Sequence, residues 1–244
     1  VELPFETRFV GDLHLDLSDE TALAAFEAFW ERRPAGETWV WLGDLFEYWI
    51  GAGHEQSPAG RRVLAALSGA ARRGLNLHLV VGNRDFLCGQ RFGRLAGLTV
   101  YAQGFVAQFP SGPACLVLHG DELCSQDLGY QRLRLGLRAP WVQSLSEVLP
   151  AWLSGALARR LRRASRRALA DKPAPIAEQA PAAADFLLAA SGAGELVCGH
   201  AHRFRRTQLG RGVWWVVDAC GGPRDCLRRS AAGFVAESSG YPGR

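Results

Sequence analysis

Residues 8–15 read RFVGDLHL. A β-type run, Arg8–Leu13, carries Gly11-Asp12 and leads directly to His14. Side chains alternate along a strand, so Asp12 and His14, two apart, point the same way, as two ligands of one metal would need. The pattern recurs down the chain. The run Thr38–Leu42 ends in Gly43-Asp44, and Leu75–Val81 ends in Gly82-Asn83. Cys115–Leu118 runs into His119-Gly120-Asp121, and Glu195–Cys198 into Gly199-His200-Ala201-His202. A sixth run is Val213–Val217. These runs are rich in Val, Leu and aromatics, as strands are. Helical stretches lie between the early ones: Glu20–Arg33, with Leu23, Phe26 and Trp30 on one face, and Gly60–Arg73. Strands alternating with helices predict an α/β fold. The strands crowd together around 105–118 and 204–235, which predicts hairpins and a second sheet.

Every polar group in this series falls at the carboxyl end of a predicted strand, the edge where open α/β sheets bind ligands. One Asp or His at such a place is ordinarily a cap or a satisfied polar group. Five successive ends holding four of the six histidines are not explained that way. The donor set is Asp12, His14, Asp44, Asn83, His119, His200 and His202, with no thiol. Oxygen and imidazole donors without sulfur suit Mn²⁺, Fe or Mg²⁺, and Zn²⁺ is also compatible. Seven donors exceed the needs of one ion; two ions about 3.5–4 Å apart with a shared carboxylate would use them all. Of the remaining histidines, His78 sits in an apolar run and reads as structural, while His54 lies in a loop and is unassigned.

The composition sets the background. The chain has 244 residues, 48% hydrophobic and 21% charged, enough for one sizeable core and unlike a disordered chain. No run of about 18 uncharged apolar residues is present, which excludes a transmembrane helix. Residues 1–10, with Glu2, Glu6 and Arg8, do not read as a secretory leader. The six cysteines form no C-x-x-C pair, so buried free thiols in a reducing cytosol are expected rather than a disulfide or zinc framework. Net charge is +4, but residues 130–172 alone carry +8 and the rest −4. A general nucleic-acid coating is therefore not expected.

The basic segment reads as helices. Trp141, Leu145, Val148 and Leu149 share one face, and Pro150 is placed to start a second helix with Trp152, Leu153 and Leu157. Six arginines follow between Arg159 and Arg167. Residues 123–175 are thus expected as a helical cap inserted between two strands of a single domain spanning 1–244. Pro173–Ala184, rich in Ala and Pro, reads as the return linker. The apolar stripe either packs the cap onto the body, lines a channel for acyl chains, or dips into a bilayer edge beside the arginines. A basic amphipathic helix suits contact with anionic lipid. Phosphate-backbone binding by the arginine run is the competing reading, and steep salt dependence would mark it.

In order, the blocks GDLHL, GDLFEYWIG, GNRDFL, HGDELCSQDLGYQ and GHAH resemble the calcineurin-like metallophosphoesterases, and within them the UDP-2,3-diacylglucosamine hydrolases. The resemblance runs from about residue 8 to 217, and its longer blocks are far more specific than the metal pattern alone. It implies an α/β fold: a calcineurin-like β-sandwich of mixed sheets flanked by helices, with a helical cap insertion. It implies two divalent ions, with Mn²⁺ the leading choice. One would be held by Asp12, His14, Asp44 and His202, the other by Asp44, Asn83, His119 and His200. It also implies a lipid-linked nucleotide sugar as substrate, and a cytoplasmic protein peripheral on the inner membrane. Asp44, Asn83, Arg84 and His119 are the expected catalytic residues. Asn83, Arg84, Asp127, Ser165, Lys172 and His200 are the expected substrate contacts. Leu169 departs from the pattern, where a polar contact is expected.

Many relatives in the superfamily have His directly after the metal-binding Asn, able to protonate an alkoxide. Here that residue is Arg84, which cannot serve as an acid. The leaving group must therefore depart unprotonated, as a phosphomonoester can, its second pKa being near about 6. Arginine can stabilise the developing charge through paired hydrogen bonds; the alternative is a loop-fixing pair with Asp85. Lys172 is the sole lysine beside 27 arginines, which hints at a positional requirement. The implied reaction is attack by metal-activated water on the α-phosphorus, releasing UMP and 2,3-diacylglucosamine 1-phosphate. Two alternatives stay open: a related hydrolase of another nucleotide pyrophosphate or lipid phosphodiester, and a non-catalytic binding scaffold.

Overall fold

The computed structural model describes residues 1–139 and 178–242. The predicted cap helices at 141–157, the arginine run, Ser165, Leu169 and Lys172 lie outside the described residues.

Strands β1 (Arg8–Val10), β2 (Thr38–Trp41), β3 (Asn76–Val80) and β4 (Thr99–Tyr101) form a parallel run. Register brings Val10 opposite Trp41 and Trp41 opposite Leu79, so their carboxyl ends are level. The hairpin β10 (Cys226–Ser230)–β11 (Gly233–Glu237) pairs antiparallel to β1 and completes six strands in the order β11-β10-β1-β2-β3-β4. The second sheet is β5 (Phe105–Ala107), β6 (Cys115–Val117), β7 (Glu195–Cys198), β9 (Val213–Val216) and β8 (Arg205–Gln208), in that order. There β6, β7 and β9 run parallel, while the outer β5 and β8 are antiparallel.

Alternation along the strands sorts the core. Phe9, Val40 and Val80 face the second sheet and pack with Cys115, Val117, Val197 and Leu227. Val10, Trp39, Trp41, Leu77 and Leu79 face outward and are covered by helices. Those helices are α1 (Glu20–Glu31), α2 (Ala52–Gln56), α3 (Pro58–Arg72) and α4 (Gln90–Ala96). Both faces of the parallel strands are thus buried, which is why they read as unbroken apolar runs. On the far side, α6 (Pro181–Ser191) lays Ala184 and Leu188 over Leu116, Leu196 and Trp214. The layers run helix, sheet, sheet, helix. α5 (Leu128–Leu137) follows β6 and is the described part of the expected insertion.

Local chemistry sets the helix ends. Asp19 caps α1 by accepting from Thr21 and Ala22 N–H at 2.9 and 3.0 Å. Leu23, Phe26, Phe29 and Trp30 form its buried stripe, each side chain stabilising by about 1.5–3 kcal/mol. Ser57 caps α3, with Pro58 at its first position.

Three expectations change. The strand predicted over Arg8–Leu13 stops at Val10. Not all the late strands join the second sheet: Leu227 shares the inner face with Phe9, and β10–β11 extends the first sheet. Pro173–Ala184 is not wholly a linker, because α6 begins at Pro181, where fixed φ favours helix entry and the alanines sustain it. All six cysteines are buried and free. No described helix is long and apolar enough to cross a membrane.

Candidate metal centre

The donors converge where the carboxyl ends of the two sheets meet. Asp12 and His14 follow β1, Asp44 follows β2, Asn83 follows β3, His119 follows β6, and His200 and His202 follow β7. Close approach of the loops depends on small residues. A Cβ at Gly82 would lie 2.2 Å from Asp44 Oδ1, and one at Gly199 would lie 2.4 Å from Asp12 Oδ2. No other residue fits at either position without moving a donor.

Asp12 and His14 do share a direction, but the pleat is not the reason. Both lie beyond β1 in the left-handed region, with φ of 55° and 51°. Asp44, His200 and His202 adopt it too, at 51°, 68° and 54°, and Glu6 is the only other described non-glycine residue with positive φ. Each such residue costs about 1–2 kcal/mol, and strain of this kind concentrates where function requires it. Backbone bonds hold the first group in place: Asp12 N–H donates to the Gly43 carbonyl at 3.1 Å, and His14 N–H to that of Asp44 at 2.9 Å.

In one half of the centre, His14 Nε2 and His202 Nε2 stand 3.0 Å apart. Asp12 Oδ1 is buried with no hydrogen-bond partner, 3.4 Å from His202 Nε2. In the other half, Asn83 Oδ1 lies 2.9 Å from His119 Nε2 and 3.1 Å from His200 Nδ1, and those two nitrogens are 3.2 Å apart. The tautomer of His119 follows from its surroundings. Its Nδ1 is 2.6 Å from the Leu42 carbonyl, which can only accept, so Nδ1 carries a proton and Nε2 is the nitrogen turned toward the other donors. Asp44 stands between the halves, with Oδ2 3.8 Å from His14 Nδ1 and Oδ1 3.6 Å from His119 Nε2. Asp12 stands close to both groups as well.

Imidazole nitrogens, an amide oxygen and carboxylates gathered this closely make a set of donors that fits a cation. Asp12, Asp44 and His119 are almost wholly buried. Burial pushes the Asp44 carboxyl up to about 7, with Asp85 and Asp12 adding to the push and His119 opposing it. Against the cost of burial, His202 and His119 hold Asp12 below its ordinary value. Oxygen and nitrogen donors at this spacing, an orphaned carboxylate oxygen and buried negative charge fit divalent metal ions.

Arg84 faces the centre. Its Nη1 pairs with Glu47 Oε2 at 2.6 Å, its Nε lies 3.6 Å from Asp44 Oδ2, and its side chain is 36% exposed. It does not pair with Asp85. That carboxylate, fully buried, accepts from Leu45 N–H and Gly82 N–H at 2.7 Å each and ties the Asp44 loop to the Asn83 loop. Sequence reasoning offered Asp85 only as a loop-fixing partner for Arg84, whereas it fixes the loops through backbone N–H groups; it missed Glu47, whose only signal was an acidic residue inside a donor-bearing block. Asp127 is buried and caps α5, its Oδ1 accepting from Tyr130 N–H at 3.0 Å. Among the leftover histidines, His78 stacks on Tyr101 with Nδ1 3.2 Å from the phenolic oxygen; His54 lies in α2, not in a loop as expected, and packs on Tyr48 and Trp49.

A helix-flanked pair of mixed sheets whose strand ends gather carboxylate, amide and imidazole donors is the arrangement that resemblance to the calcineurin-like metallophosphoesterases implied. No family model matches the chain. The UDP-2,3-diacylglucosamine hydrolase of Nitrosococcus oceani is 36% identical over 81% of this chain and 78% of its own length. That of Aeromonas salmonicida is 36% identical over 81% and 77%, and that of Escherichia fergusonii 35% over 81% and 82%. The chain belongs to the UDP-2,3-diacylglucosamine hydrolase family. Similar solved structures include Vacuolar Protein Sorting 29 from Cryptosporidium parvum, 12% identical over 88% of this chain and 74% of that chain, TM-score 0.41. Another is a phosphopantetheinyl hydrolase from Mycobacterium tuberculosis, 16% identical over 88% and 90%, TM-score 0.42.

Proposed function

We propose that this chain hydrolyses the pyrophosphate of UDP-2,3-diacylglucosamine, giving UMP and 2,3-diacylglucosamine 1-phosphate, with two divalent ions, Mn²⁺ foremost. The family supplies the substrate class. Arg84 carries the choice of bond: it follows Asn83, lies against Asp44, and can give up no proton to a leaving group. A phosphoric anhydride needs no such proton, because its phosphate leaving group is stable as an anion.

Asp12, His14, Asp44 and His202 would hold one ion, and Asp44, Asn83, His119 and His200 the other, with Asp44 between them. Bound divalent metal supplies two things: a polarised phosphoryl oxygen, and water acidic enough to act as a nucleophile near neutral pH. The Leu42 carbonyl orients His119 so that Nε2 is the nitrogen that would face the ion. Glu47 holds the guanidinium of Arg84 beside the centre, where it can take the charge that develops on the departing phosphate.

Asp127, Ser165 and Lys172 are proposed as further substrate contacts, and residues 123–175 as a cap that meets the acylated end of the substrate and the membrane surface. Asp127 caps α5 through Oδ1, at the start of the segment proposed as the cap.

The test uses metal-stripped protein with Mn²⁺ restored, following UMP release from UDP-2,3-diacylglucosamine and from unacylated UDP-N-acetylglucosamine. Metal-dependent release from the acylated substrate alone is expected. Release from neither, with hydrolysis of a generic phosphodiester, would keep the metal chemistry and reject the substrate.

A further inference from the structure

Two buried side chains outside the donor set reach the loops that carry it. They stand on either side of residues 140–177. Arg138, just after α5, donates from Nη2 to the Val81 carbonyl at 3.0 Å, two residues before Asn83. The same nitrogen meets both Asp121 oxygens at 3.2 and 3.1 Å, and Nη1 donates to Glu122 Oε1 at 3.0 Å. Asp121, two residues after His119, also accepts the Tyr130 hydroxyl at 2.5 Å. One guanidinium therefore spans the Asn83 and His119 loops.

Gln179 makes the matching link from the other border. Its Nε2 donates to the Gly120 carbonyl at 3.2 Å and to the Gly199 carbonyl at 3.0 Å. Gly120 follows His119, and Gly199 precedes His200. Its Oε1 accepts from Arg205 Nη2 at 3.2 Å, which orients the amide so that both hydrogens face the loops. Both bridging side chains are only 6% exposed.

Backbone N–H groups help hold both halves of the centre: Gly199 N–H donates to the His119 carbonyl at 2.9 Å, and His200 N–H donates to Asp12 Oδ2 at 2.7 Å. Asp12, His14 and Asp44 are tied by backbone bonds between neighbouring loops. Asn83, His119 and His200 come from three strands, β3 in one sheet and β6 and β7 in the other. The carbonyls of Gly120 and Gly199 already accept backbone N–H groups from Leu123 and Ala201, so the Gln179 amide fills a second lone pair on each. Removing it leaves no carbonyl orphaned, and the main loss is in position.

We infer that Arg138 and Gln179 are positioning residues for the Asn83–His119–His200 half of the centre. They fix the spacing of its three loops and so set its affinity for a divalent cation. The inference rests on the metal reading proposed above.

The experiment is a calorimetric titration of MnCl₂ into the metal-stripped full chain, for wild type, Gln179→Leu and Arg205→Met. Gln179→Leu keeps the bulk and removes both donors; Arg205→Met, at an exposed residue, frees the amide and gives up the guanidinium's place over the Trp214 ring, where the methionine side chain can still pack. In wild type, two binding events are expected. In Gln179→Leu one event should weaken about 10–100-fold, the usual cost of losing a partner behind a metal ligand, while the other, which shares only His202 of that loop, weakens far less. Arg205→Met should shift the same event by less. UMP release should need correspondingly more Mn²⁺ in both variants yet recover its maximal rate at saturation, which a general loss of structure would not produce. If Gln179→Leu does not fold without metal, Arg205→Met carries the test alone. Unchanged titrations in folded variants, or equal weakening of both events, would overturn the inference. Failure of the wild type to take up Mn²⁺ would instead remove the metal reading, and this inference with it.

Discussion

Asp85 offers the sharpest test of how the centre is built, because its carboxylate touches no proposed metal ion. It is fully buried and spends both oxygens on backbone N–H groups, those of Leu45 and Gly82, each at 2.7 Å. Asp85→Ala removes two charge-assisted bonds and leaves two buried donors unpaired. Each loss costs about 1.5–3 kcal/mol, so the metal-free protein should lose about 3–6 kcal/mol. Against a total of about 5–15 kcal/mol that is a large fraction. Asp85→Asn should cost less, since one acceptor survives and a buried charge disappears, although its amide must turn one N–H toward a backbone N–H. Urea unfolding of metal-stripped wild type and both variants measures the effect, with Mn²⁺ titration as the second readout. We expect Ala to be worse than Asn, Asn worse than wild type, and Mn²⁺ affinity to follow that order. An alanine variant within about 1 kcal/mol of wild type, binding Mn²⁺ normally, would refute the view that this carboxylate sets the distance between the Asp44 and Asn83 loops.

Other predictions follow from the same geometry. Asp44→Ala should abolish UMP release, and near-wild-type turnover would eliminate the shared-carboxylate arrangement. Arg84→Ala should lower kcat about 10²–10³-fold with metal content unchanged; loss of metal, measured by elemental analysis, would make Arg84 a structural residue instead. His54 is pushed down to about 4 by burial, from 6.5. The unfolded chain therefore takes up this proton before the folded one does. The contribution is complete above about pH 6.5 and is lost as pH falls toward 4. His54→Phe should narrow the gap between urea midpoints at pH 7 and pH 5, and an unchanged gap would show that His54 is not the group responsible.

The donors were legible in sequence because each lies within four residues of the end of a β-type run, where local pattern is strongest. Their grouping was legible too, since parallel strands with level ends must present those residues along one edge. The first helix announced itself through Leu23, Phe26 and Trp30. What escaped depended on contacts far apart in the chain. The Arg228–Arg8 pairing that places β10 in the first sheet has no local signature. Asp85 and Gln179 look like ordinary polar residues until the backbones they serve are brought alongside. The left-handed conformation of Asp12 and His14 is likewise imposed by the neighbouring Gly43–Asp44 strand end, so alternation along a strand gave the right direction for a reason that does not apply.

The seam between the sheets has a mechanical consequence. Asp12, His14, Asp44 and Asn83 extend from one sheet, and His119, His200 and His202 from the other. Ligation across that boundary would work as a removable rivet. His14 and His202 are 188 positions apart, and pinning so long a loop would cost the unfolded chain several kcal/mol of freedom, about 5 by analogy with a covalent cross-link. The cation that serves the chemistry would then also clamp the two halves of the sandwich. A chelator should act on this protein as a denaturant, loosening β6 and β7 from β1 and β2 before either sheet frays from within.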